Sequence, residues 1–318
     1  MNSVGIVGAG AWGTALAILF ARAGREVCLW ARDPARRTAI AANRQNPRLP
    51  GATLPASVVL AEDPSLPEAE ALVLAVPVQH FRDVAGTIVP AGRPLVGAAK
   101  GMEAGTGLLP LEILAALHPG AASAVLTGPN FAAEIAAGLP AASVLAAADT
   151  GLRRELLGLF AGSGLRLYGN ADPVGAGVGG AAKNVIAIAA GAVIGAGLGE
   201  NARAALVTRG LAELSRLVVA LGGRRETSFG LSGLGDLVLT CTGRASRNFR
   251  YGLALGAGEA PAVAGVVEGV ATAPALVARA AEASCEVPVA GAVARLLAGE
   301  TTLGAAMAEL LARPQRDE

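Results

Sequence analysis

Short apolar runs alternate with helical patterns through the first half of the chain. The runs lack the apolar–polar alternation of a strand with one wet face, so they predict a parallel sheet that helices cover on both faces. The Pro- and Gly-rich segment 47–55 predicts a loop. The predicted strands are Val4–Val7, Glu26–Trp30, Ala71–Val76, Pro94–Ala98, Ala122–Leu126, Ala142–Ala147 and Leu165–Tyr168, and the predicted helices are residues 12–23, 34–43, 79–88, 107–117, 131–138 and 150–162.

The strand pattern stops after about residue 172, and the rest of the chain predicts helices. A glycine- and hydroxyl-rich segment, Thr227–Asn248, predicts ordered loop with short helix. We therefore predict an α/β domain at 1–172 and an all-α domain at 173–318. The polar tail from Arg313 is predicted to fray. The predicted helices of the second domain are residues 174–198, 202–221, 249–257, 268–282, 288–297 and 303–312.

Composition narrows the class of protein. Hydrophobic residues make up 53% of the 318-residue chain, charged residues make up 16%, and the net charge is +1. This balance predicts a densely packed soluble protein, and without a basic tract it argues against nucleic acid and anionic membranes as partners. Three scattered cysteines and the absence of a signal-peptide pattern predict a cytoplasmic location. No Ser/His/Asp set and no Cys/His metal spacing occurs, so no metal site is predicted.

The longest apolar run, Val185–Leu198, is too short to cross a bilayer, so no membrane span is predicted. Gly191, Gly195 and Gly199 recur at every fourth position, the first two inside this run and the third directly after it. That spacing predicts that another helix approaches closely inside the core. It is also compatible with a homodimer.

A glycine motif follows the first predicted strand and opens the first predicted helix. The sequence Gly8-Ala9-Gly10-Ala11-Trp12-Gly13 has the form GxGxxG. Gly8 allows a tight turn, Gly10 lets the backbone approach a pyrophosphate, and Gly13 allows close packing of helix on strand. Free N–H groups at the helix start favour an anion. The motif predicts a dinucleotide site in a Rossmann-like, doubly wound sheet.

The residues after the second strand bear on the choice of cofactor. An NAD site usually places an acid there, whereas this chain has Arg32 followed by Asp33. Arg32 could pair with the 2′-phosphate of NADP, so NADPH is favoured and NAD stays a possible second cofactor. The alternative is that Arg32 is a solvated surface cation while Asp33 caps the next helix.

Lysine is rare in this chain, which has 24 arginines and two lysines, Lys100 and Lys183. An arginine is effectively never deprotonated, whereas a lysine amine can exchange a proton. Lys100 lies in one of four predicted strand-end loops, at 76–80, 99–101, 127–130 and 170–172, where doubly wound sheets bind ligands. Lys183 lies just before the apolar run of the predicted helix 174–198, where an ammonium without a function would be costly, so it is a candidate for proton transfer. Codon drift that spared two sites is the alternative.

The segment Gly230–Asn248 holds the densest set of polar residues in the chain. Arg247, with Ser246 and Asn248, offers a guanidinium fork and two hydrogen-bonding side chains, which suit a phosphate. Asp236 could orient a lysine ammonium or accept from a substrate hydroxyl. The alternative is a glycine-rich loop with solvated cations.

Several long segments resemble the bacterial NAD(P)-dependent glycerol-3-phosphate dehydrogenases over nearly the whole chain. They are GAGAWGTALA (8–17), AAKGME (98–103), GPNFAAEIA (128–136), AAKNVIAIAAG (181–191), the loop through Asn248, and VVEGV (266–270). The resemblance implies a Rossmann-like domain followed by an all-α substrate-binding domain, in the manner of 6-phosphogluconate dehydrogenase. Asn130 departs from the Ser or Thr of many members, and Ala11 lacks a hydroxyl that many members have.

The resemblance also implies roles for individual residues. Lys183 would be the general acid/base, and hydride transfer from NADPH or NADH would reduce dihydroxyacetone phosphate to sn-glycerol 3-phosphate for phospholipid synthesis. The substrate-binding residues would be Lys100, Gly128, Asn130, Lys183, Asp236, Ser246, Arg247 and Asn248. The cofactor-binding residues would be Gly8, Gly10, Trp12, Gly13, Arg32, Lys100, Ala132, Arg247, Val266 and Glu268.

Two other functions stay open at this point. One is a reductase of another small 2-keto or 3-hydroxy acid on a similar two-domain plan. The other is a dinucleotide sensor without catalytic activity, although a sensor has no need for the lysine at position 183.

Overall fold

Eight strands form one sheet in the first part of the chain, in the order β3-β2-β1-β4-β5-β6-β7-β8. The computed structural model describes residues 1–66 and 68–312, so the tail from Arg313 lies outside the described residues. The strands are β1 Ser3–Val7, β2 Glu26–Trp30, β3 Val58–Ala61, β4 Ala71–Leu74, β5 Leu95–Gly97, β6 Ser123–Thr127, β7 Ala141–Ala146 and β8 Leu165–Asn170.

Helices alternate with these strands, as the apolar pattern predicts. They are α1 Ala11–Arg22, α2 Pro34–Asn43, a 3₁₀ turn at Val78–His80, α3 Phe81–Gly86, α4 Pro110–Leu117, α5 Ala132–Ala137 and α6 Thr150–Leu159.

Both faces of the sheet are apolar, which explains the missing alternation. In β4, Ala71 and Val73 belong to one buried cluster, with Phe20 of α1. Leu72 and Leu74 belong to a second cluster, which includes residues of α3 and α4. The predicted α/β sheet covered on two sides is therefore confirmed.

Strand β3 was not predicted from the sequence. This strand pairs with β2 in parallel, at the edge of the sheet. Its Val59 is 58% exposed, so the strand does not form the continuous buried run that identified the others.

The direction of the last two strands also differs from the prediction. The strands from β3 to β6 are parallel, but β7 pairs with β6 antiparallel, with Val125 opposite Ala146 and Thr127 opposite Val144. The connection through α5 returns the chain to the edge where β6 ended, so no crossover is made. Because β8 is parallel to β7, its carboxyl end lies at the opposite end of the strands from the carboxyl ends of β1–β6. Asn170–Asp172 therefore lies at that opposite end. The prediction that this loop joins the other three strand-end loops was wrong.

The chain divides into two compact units. The first comprises Met1–Lys100 and Leu108–Gly177, and the second comprises Gly101–Gly107 and the chain from Val178 onward. The predicted boundary between residues 172 and 173 stays a prediction. The later helices are α7 Pro173–Gly195, α8 Gly199–Ala220, a 3₁₀ turn at Arg225–Phe229, a π-helix at Leu231–Gly235, α9 Asp236–Thr242, α10 Arg247–Gly256, α11 Glu268–Glu282, α12 Pro288–Leu297 and α13 Leu303–Leu311.

Helix α7 is the apolar core helix of the second unit. It is long and apolar enough to cross a membrane by those criteria alone, yet 89% of its most apolar window is buried inside the protein. A buried core helix of a soluble protein has the same signature, so the length of α7 is weak evidence for a membrane span.

Glycines let α7 and α10 meet at their backbones. A Cβ atom on Gly191 would overlap the Phe249 carbonyl oxygen, and one on Gly252 would overlap that of Ile188. Gly195 and Gly256 repeat this reciprocal contact one turn further along. The predicted close approach of a helix is confirmed at Gly191 and Gly195. It was wrong at Gly199, which begins α8 with open space around it.

The contact between α7 and α10 predicts a large stability difference between two glycine-to-alanine variants. Gly252→Ala forces the helices apart and should cost about 1–3 kcal/mol, which lowers the thermal midpoint by several degrees. Gly158→Ala in α6 is the matched control, because nothing lies within 4 Å of its Cβ position. Alanine is the better helix former there by about 0.5–1 kcal/mol. Thermal unfolding followed by circular dichroism measures both, and equal midpoints would contradict the backbone contact.

Candidate active site

The glycine-rich turn has the geometry that its sequence predicts. Gly8 follows β1 with φ of 115°, a conformation that side chains rarely adopt. A Cβ on Gly13 would overlap the Gly8 carbonyl oxygen, whereas a Cβ on Gly10 would meet nothing closer than 3.9 Å. Gly8 and Gly13 are therefore needed for the turn itself, while Gly10 leaves open space beside the backbone. Such an approach path suits a pyrophosphate at the start of α1.

Trp12 stands in the first turn of α1 with a polar atom unused. Its indole Nε1 is buried and has no hydrogen-bond partner among the described residues. Buried indole N–H groups usually have a partner. A cofactor that accepts this hydrogen bond fits the residues of the turn.

At the end of β2, Arg32 is exposed, and Asp33 caps α2. The Asp33 Oδ1 atom accepts hydrogen bonds from the backbone N–H groups of Ala35 at 3.0 Å and Arg36 at 3.3 Å. The capping alternative for Asp33 is confirmed. Because that carboxylate is committed to the helix, it is poorly placed to accept from a ribose hydroxyl.

Lys100, Gly128 and Asn130 lie together at the carboxyl ends of β5 and β6. Lys100 Nζ donates to the Gly128 carbonyl oxygen at 2.7 Å. Gly128 has φ of 135°, and a Cβ there would lie 3.0 Å from Ser143 Cα. The Asn130 amide donates to Ser143 Oγ, while its Oδ1 is buried without a hydrogen-bond partner among the described residues. Ala132 begins α5 directly after this group.

In the second unit, Lys183 forms a buried ion pair with Asp236. The side chain lies on α7 and is bonded to Asp236 Oδ1, and its Nζ also donates to Thr240 Oγ1 at 3.1 Å. Lys183 is 7% exposed, and Asp236 is fully buried. The Thr240 hydroxyl in turn donates to the Asp236 carbonyl oxygen at 2.6 Å. Asp236 thus contacts a lysine side chain, as one of its two predicted roles requires, and its role in substrate binding stays a prediction.

Thr240 was not singled out by the sequence analysis. Asp236 and Thr240 are four residues apart on α9, so their side chains share one face of that helix. That spacing was the available signal. A five-residue π-helix, a feature frequent at functional sites, leads directly into Asp236.

Ser246 caps α10, the helix that carries Arg247 and Asn248. The Ser246 Oγ accepts from the Phe249 N–H at 3.2 Å, so its own proton can still be donated to an anion. The first turn of α10 adds the positive end of the helix dipole. This arrangement supports phosphate binding.

The amide of Asn248 is used inside the protein. Its Nδ2 donates to Asn184 Oδ1 at 2.8 Å, and its Oδ1 accepts from the Gly269 N–H at 3.0 Å. Asn248 therefore ties α10 to α7 and to the start of α11. Asn184 was not predicted as a site residue, although it follows Lys183 directly.

Two residues of the proposed cofactor set lie close to Arg247 or Asn248. Gly265 has φ of 88°, and a Cβ there would lie 3.0 Å from Arg247 Nη1, so the guanidinium lies beside the segment that precedes Val266. Glu268 begins α11, next to Gly269.

The comparisons with known proteins agree with this architecture. A family model described as the N-terminus of NAD-dependent glycerol-3-phosphate dehydrogenase matches residues 3–152, and one described as its C-terminus matches residues 172–308. The chain belongs to this family. A protein from Acidiphilium cryptum (strain JF-5) named glycerol-3-phosphate dehydrogenase (NAD(P)+) is 60% identical over 314 residues, which cover 98% of this chain and 97% of the relative.

Two solved structures have folds similar to that of this chain. A glycerol-3-phosphate dehydrogenase from Coxiella burnetii has a TM-score of 0.93 at 37% identity, covering 98% of this chain and 99% of its own. A ketopantoate reductase from Ralstonia eutropha JMP134 has a TM-score of 0.63 at 19% identity, with 94% and 98% covered, and shares the fold alone. The predicted family and fold class are confirmed, and the chain is an oxidoreductase of a nicotinamide-dependent family.

Cys241 adjoins Thr240 and provides a chemical probe of the candidate site in the second unit. Burial raises the pKa of the Cys241 thiol to about 12, and the Asp236 charge adds to the rise while Lys183 opposes it. Burial also raises the pKa of Cys28 and Cys285, but both side chains are partly exposed.

We expect Cys241 to be inert toward thiol reagents at pH 8, because the reactive thiolate forms only near pH 12 and the side chain is buried. Titration with a chromogenic disulfide should label Cys28 and Cys285 in the folded protein and Cys241 only after denaturation. Cys241→Ala is the control, and it should leave the folded-state labelling unchanged. Rapid labelling of Cys241 in the folded wild type would contradict its burial.

Proposed function

We propose that the chain reduces dihydroxyacetone phosphate reversibly to sn-glycerol 3-phosphate, with NADPH or NADH, in the cytoplasm. The product would serve phospholipid synthesis. The observation that carries the proposal is the buried Lys183 ammonium, held by Asp236 and Thr240, in a chain of this family. A buried lysine held in this way suits proton transfer to a developing alkoxide.

Lys183 is the general acid in the proposed reaction. When bound, the nicotinamide supplies a hydride to C2 of the substrate, and the negative charge develops on the C2 oxygen. The Lys183 ammonium donates a proton to that oxygen, and in the reverse direction the amine takes the proton back. Asp236 favours the ammonium that is needed before reduction, and Thr240 fixes the direction of Nζ.

Each unit carries residues that we propose for substrate binding. Lys100 adds positive charge beside the C2 oxygen. Gly128 and Asn130 lie in the loop after β6, whose Gly128 carbonyl oxygen accepts a hydrogen bond from Lys100 Nζ. Ser246 and Arg247 bind the phosphate, with the start of α10. Asn248 is also proposed as a substrate-binding residue. Its hydrogen bonds with Asn184 and Gly269 fix its side chain beside Arg247.

The cofactor would lie against the glycine-rich turn. Gly8, Gly10 and Gly13 shape the turn for the pyrophosphate, and Trp12 offers its unused indole N–H. Arg32 pairs with the 2′-phosphate of NADPH, which we propose as the favoured cofactor, because Asp33 is committed to capping. The remaining proposed contacts are Lys100, Ala132, Arg247, Val266 and Glu268.

A reductase of an unphosphorylated 2-keto acid is the second candidate, and the fold shared with a ketopantoate reductase is the observation that favours it. Steady-state assays with dihydroxyacetone phosphate, ketopantoate and pyruvate separate the two. Turnover with dihydroxyacetone phosphate alone supports the proposal. Folded protein that binds NADPH but reduces none of these substrates would instead fit a dinucleotide sensor. A homodimer stays a proposal.

Replacing Lys183 should abolish proton transfer without loss of cofactor binding. Lys183→Met should lower kcat by about 10²–10⁴ with an unchanged Kd for NADPH. Lys183→Arg should be nearly as inactive, because a guanidinium keeps the charge but does not release a proton at neutral pH. Stopped-flow oxidation of NADPH and fluorescence titration give the two quantities.

The double variant Lys183→Met/Asp236→Asn controls for an unpaired buried carboxylate in the single variant. It should unfold at a higher temperature than Lys183→Met while remaining as inactive. An active double variant would show that Lys183 is not the proton donor.

Arg32→Gln should reduce kcat/KM for NADPH by about tenfold while leaving that for NADH nearly unchanged, since only NADPH carries a 2′-phosphate. Arg166→Gln is the matched control, because Arg166 is an exposed arginine on β8, at the opposite edge of the sheet from β2 and β3. Initial rates over a range of each cofactor concentration measure the effect. Equal losses with both cofactors would contradict a 2′-phosphate contact.

A further inference from the structure

We infer that Asn46 is a positioning residue of the dinucleotide site, although it lies outside the glycine motif. Its side-chain amide holds the peptide between Ala9 and Gly10 and thereby sets the direction of an N–H group offered to the pyrophosphate. The inference rests on the use of a dinucleotide cofactor, and it is independent of which substrate the enzyme reduces.

The contacts of Asn46 are short and buried. The residue is 2% exposed, and its Nδ2 donates to the Ala9 carbonyl oxygen at 3.1 Å and to Thr14 Oγ1 at 2.7 Å. Both amide protons are thus used, one on the turn and one on the first turn of α1. The Asn46 Oδ1 accepts from the Arg48 N–H at 3.0 Å, so the orientation of the amide is fixed as well.

The segment that carries Asn46 is itself anchored. The Leu49 N–H donates to the Asn46 carbonyl oxygen at 2.8 Å, and the Leu49 side chain is buried in the core of the first unit. The residues before Asn46 are paired with a later segment. Gln45 forms an isolated antiparallel β-bridge with Thr53, and the Leu54 N–H donates to the Arg44 carbonyl oxygen at 2.8 Å. Asn46 therefore reaches the turn from a fixed point rather than from a free loop.

Peptide planarity converts this contact into an effect on anion binding. In a trans peptide, the carbonyl group of one residue and the N–H group of the next point in opposite directions, and the peptide bond between Ala9 and Gly10 is trans. The Ala9 carbonyl points toward Asn46, so the Gly10 N–H points away from it. No described residue accepts a hydrogen bond from that N–H.

The turn needs such a support because its own residues do little to fix its backbone conformation. Gly8 and Gly10 have no side chains, and a glycine backbone has more conformational freedom to lose than that of any other residue. Asn46 restricts this freedom before the cofactor arrives, and such preorganisation lowers the entropy lost on binding.

The test compares Asn46→Ala with Asn43→Ala, which removes an exposed asparagine at the end of α2. Asn46→Ala should raise the Kd of NADPH and of NADH by the same factor, about tenfold, because the pyrophosphate is common to both. At saturating cofactor, two quantities should change less than twofold: the KM for dihydroxyacetone phosphate, and kcat. Asn46→Asp should raise both Kd values further, since a carboxylate repels the Ala9 carbonyl and the pyrophosphate. Asn43→Ala should leave all values unchanged.

A purely structural role for Asn46 would lower the thermal midpoint and leave both Kd values unchanged, which would overturn the inference. A rise for NADPH alone would overturn it as well, because it would place Asn46 at the 2′-phosphate. Wild-type protein that binds neither cofactor would instead refute the cofactor assignment. If Asn46→Ala does not fold, Thr14→Val removes one anchor of the amide with little change of shape. It should raise both Kd values equally, and Thr14→Ser should restore them.

Discussion

A buried ammonium on an apolar helix is the constraint that organises the second unit. Burying the Lys183 charge in α7 without a partner would cost several kcal/mol of folding free energy. A carboxylate and a hydroxyl must therefore lie next to it. Asp236 and Thr240 reach it because the π-helix before Asp236 packs directly on the α7 backbone. A Cβ on Gly179 would lie 2.5 Å from the Ser232 carbonyl oxygen, so a larger residue at position 179 would push that segment away. The small residue at Gly179 therefore allows the close packing that brings Asp236 and Thr240 to Lys183.

The same close packing carries the rest of the candidate site in the second unit. Helix α10, which presents Arg247, meets α7 through reciprocal glycines, and a Cβ on Gly269 would lie 2.6 Å from the Asn184 carbonyl oxygen. Three segments are thus set against α7 at backbone distance, and the Asn248 amide links two of them, α10 and the start of α11. Backbone contacts leave few rotamers to choose, so positions are set more firmly than long side chains could set them. The many glycines of the chain are in this region a positioning device.

The parts of the structure that could be predicted are those that local patterns encode. Continuous apolar runs identified the buried strands, and the GxGxxG spacing identified the turn before α1. Apolarity says nothing about strand direction, so the reversal at β7 was missed, and the half-exposed β3 had no buried run to show. Partners distant in sequence were harder still. Lys183 could be recognised by its isolation, but Asn46 lies more than thirty residues from the turn that it holds, and no local signal marks that contact.

The uneven use of arginine and lysine reflects two different kinds of contact. Arg93 donates to the carbonyl oxygens of Ser65, Leu66, Val89 and Pro90, and Arg25 donates to those of Gly158 and Leu159. A planar fork with five donors suits such carbonyl clusters, and a single ammonium does not. Lys100 and Lys183 each bring one nitrogen to a confined point, at Gly128 and at Asp236 with Thr240. In the proposed reaction a guanidinium could not release the proton at the second place. Drift can make lysine rare, but it does not explain why the two that remain occupy these two places.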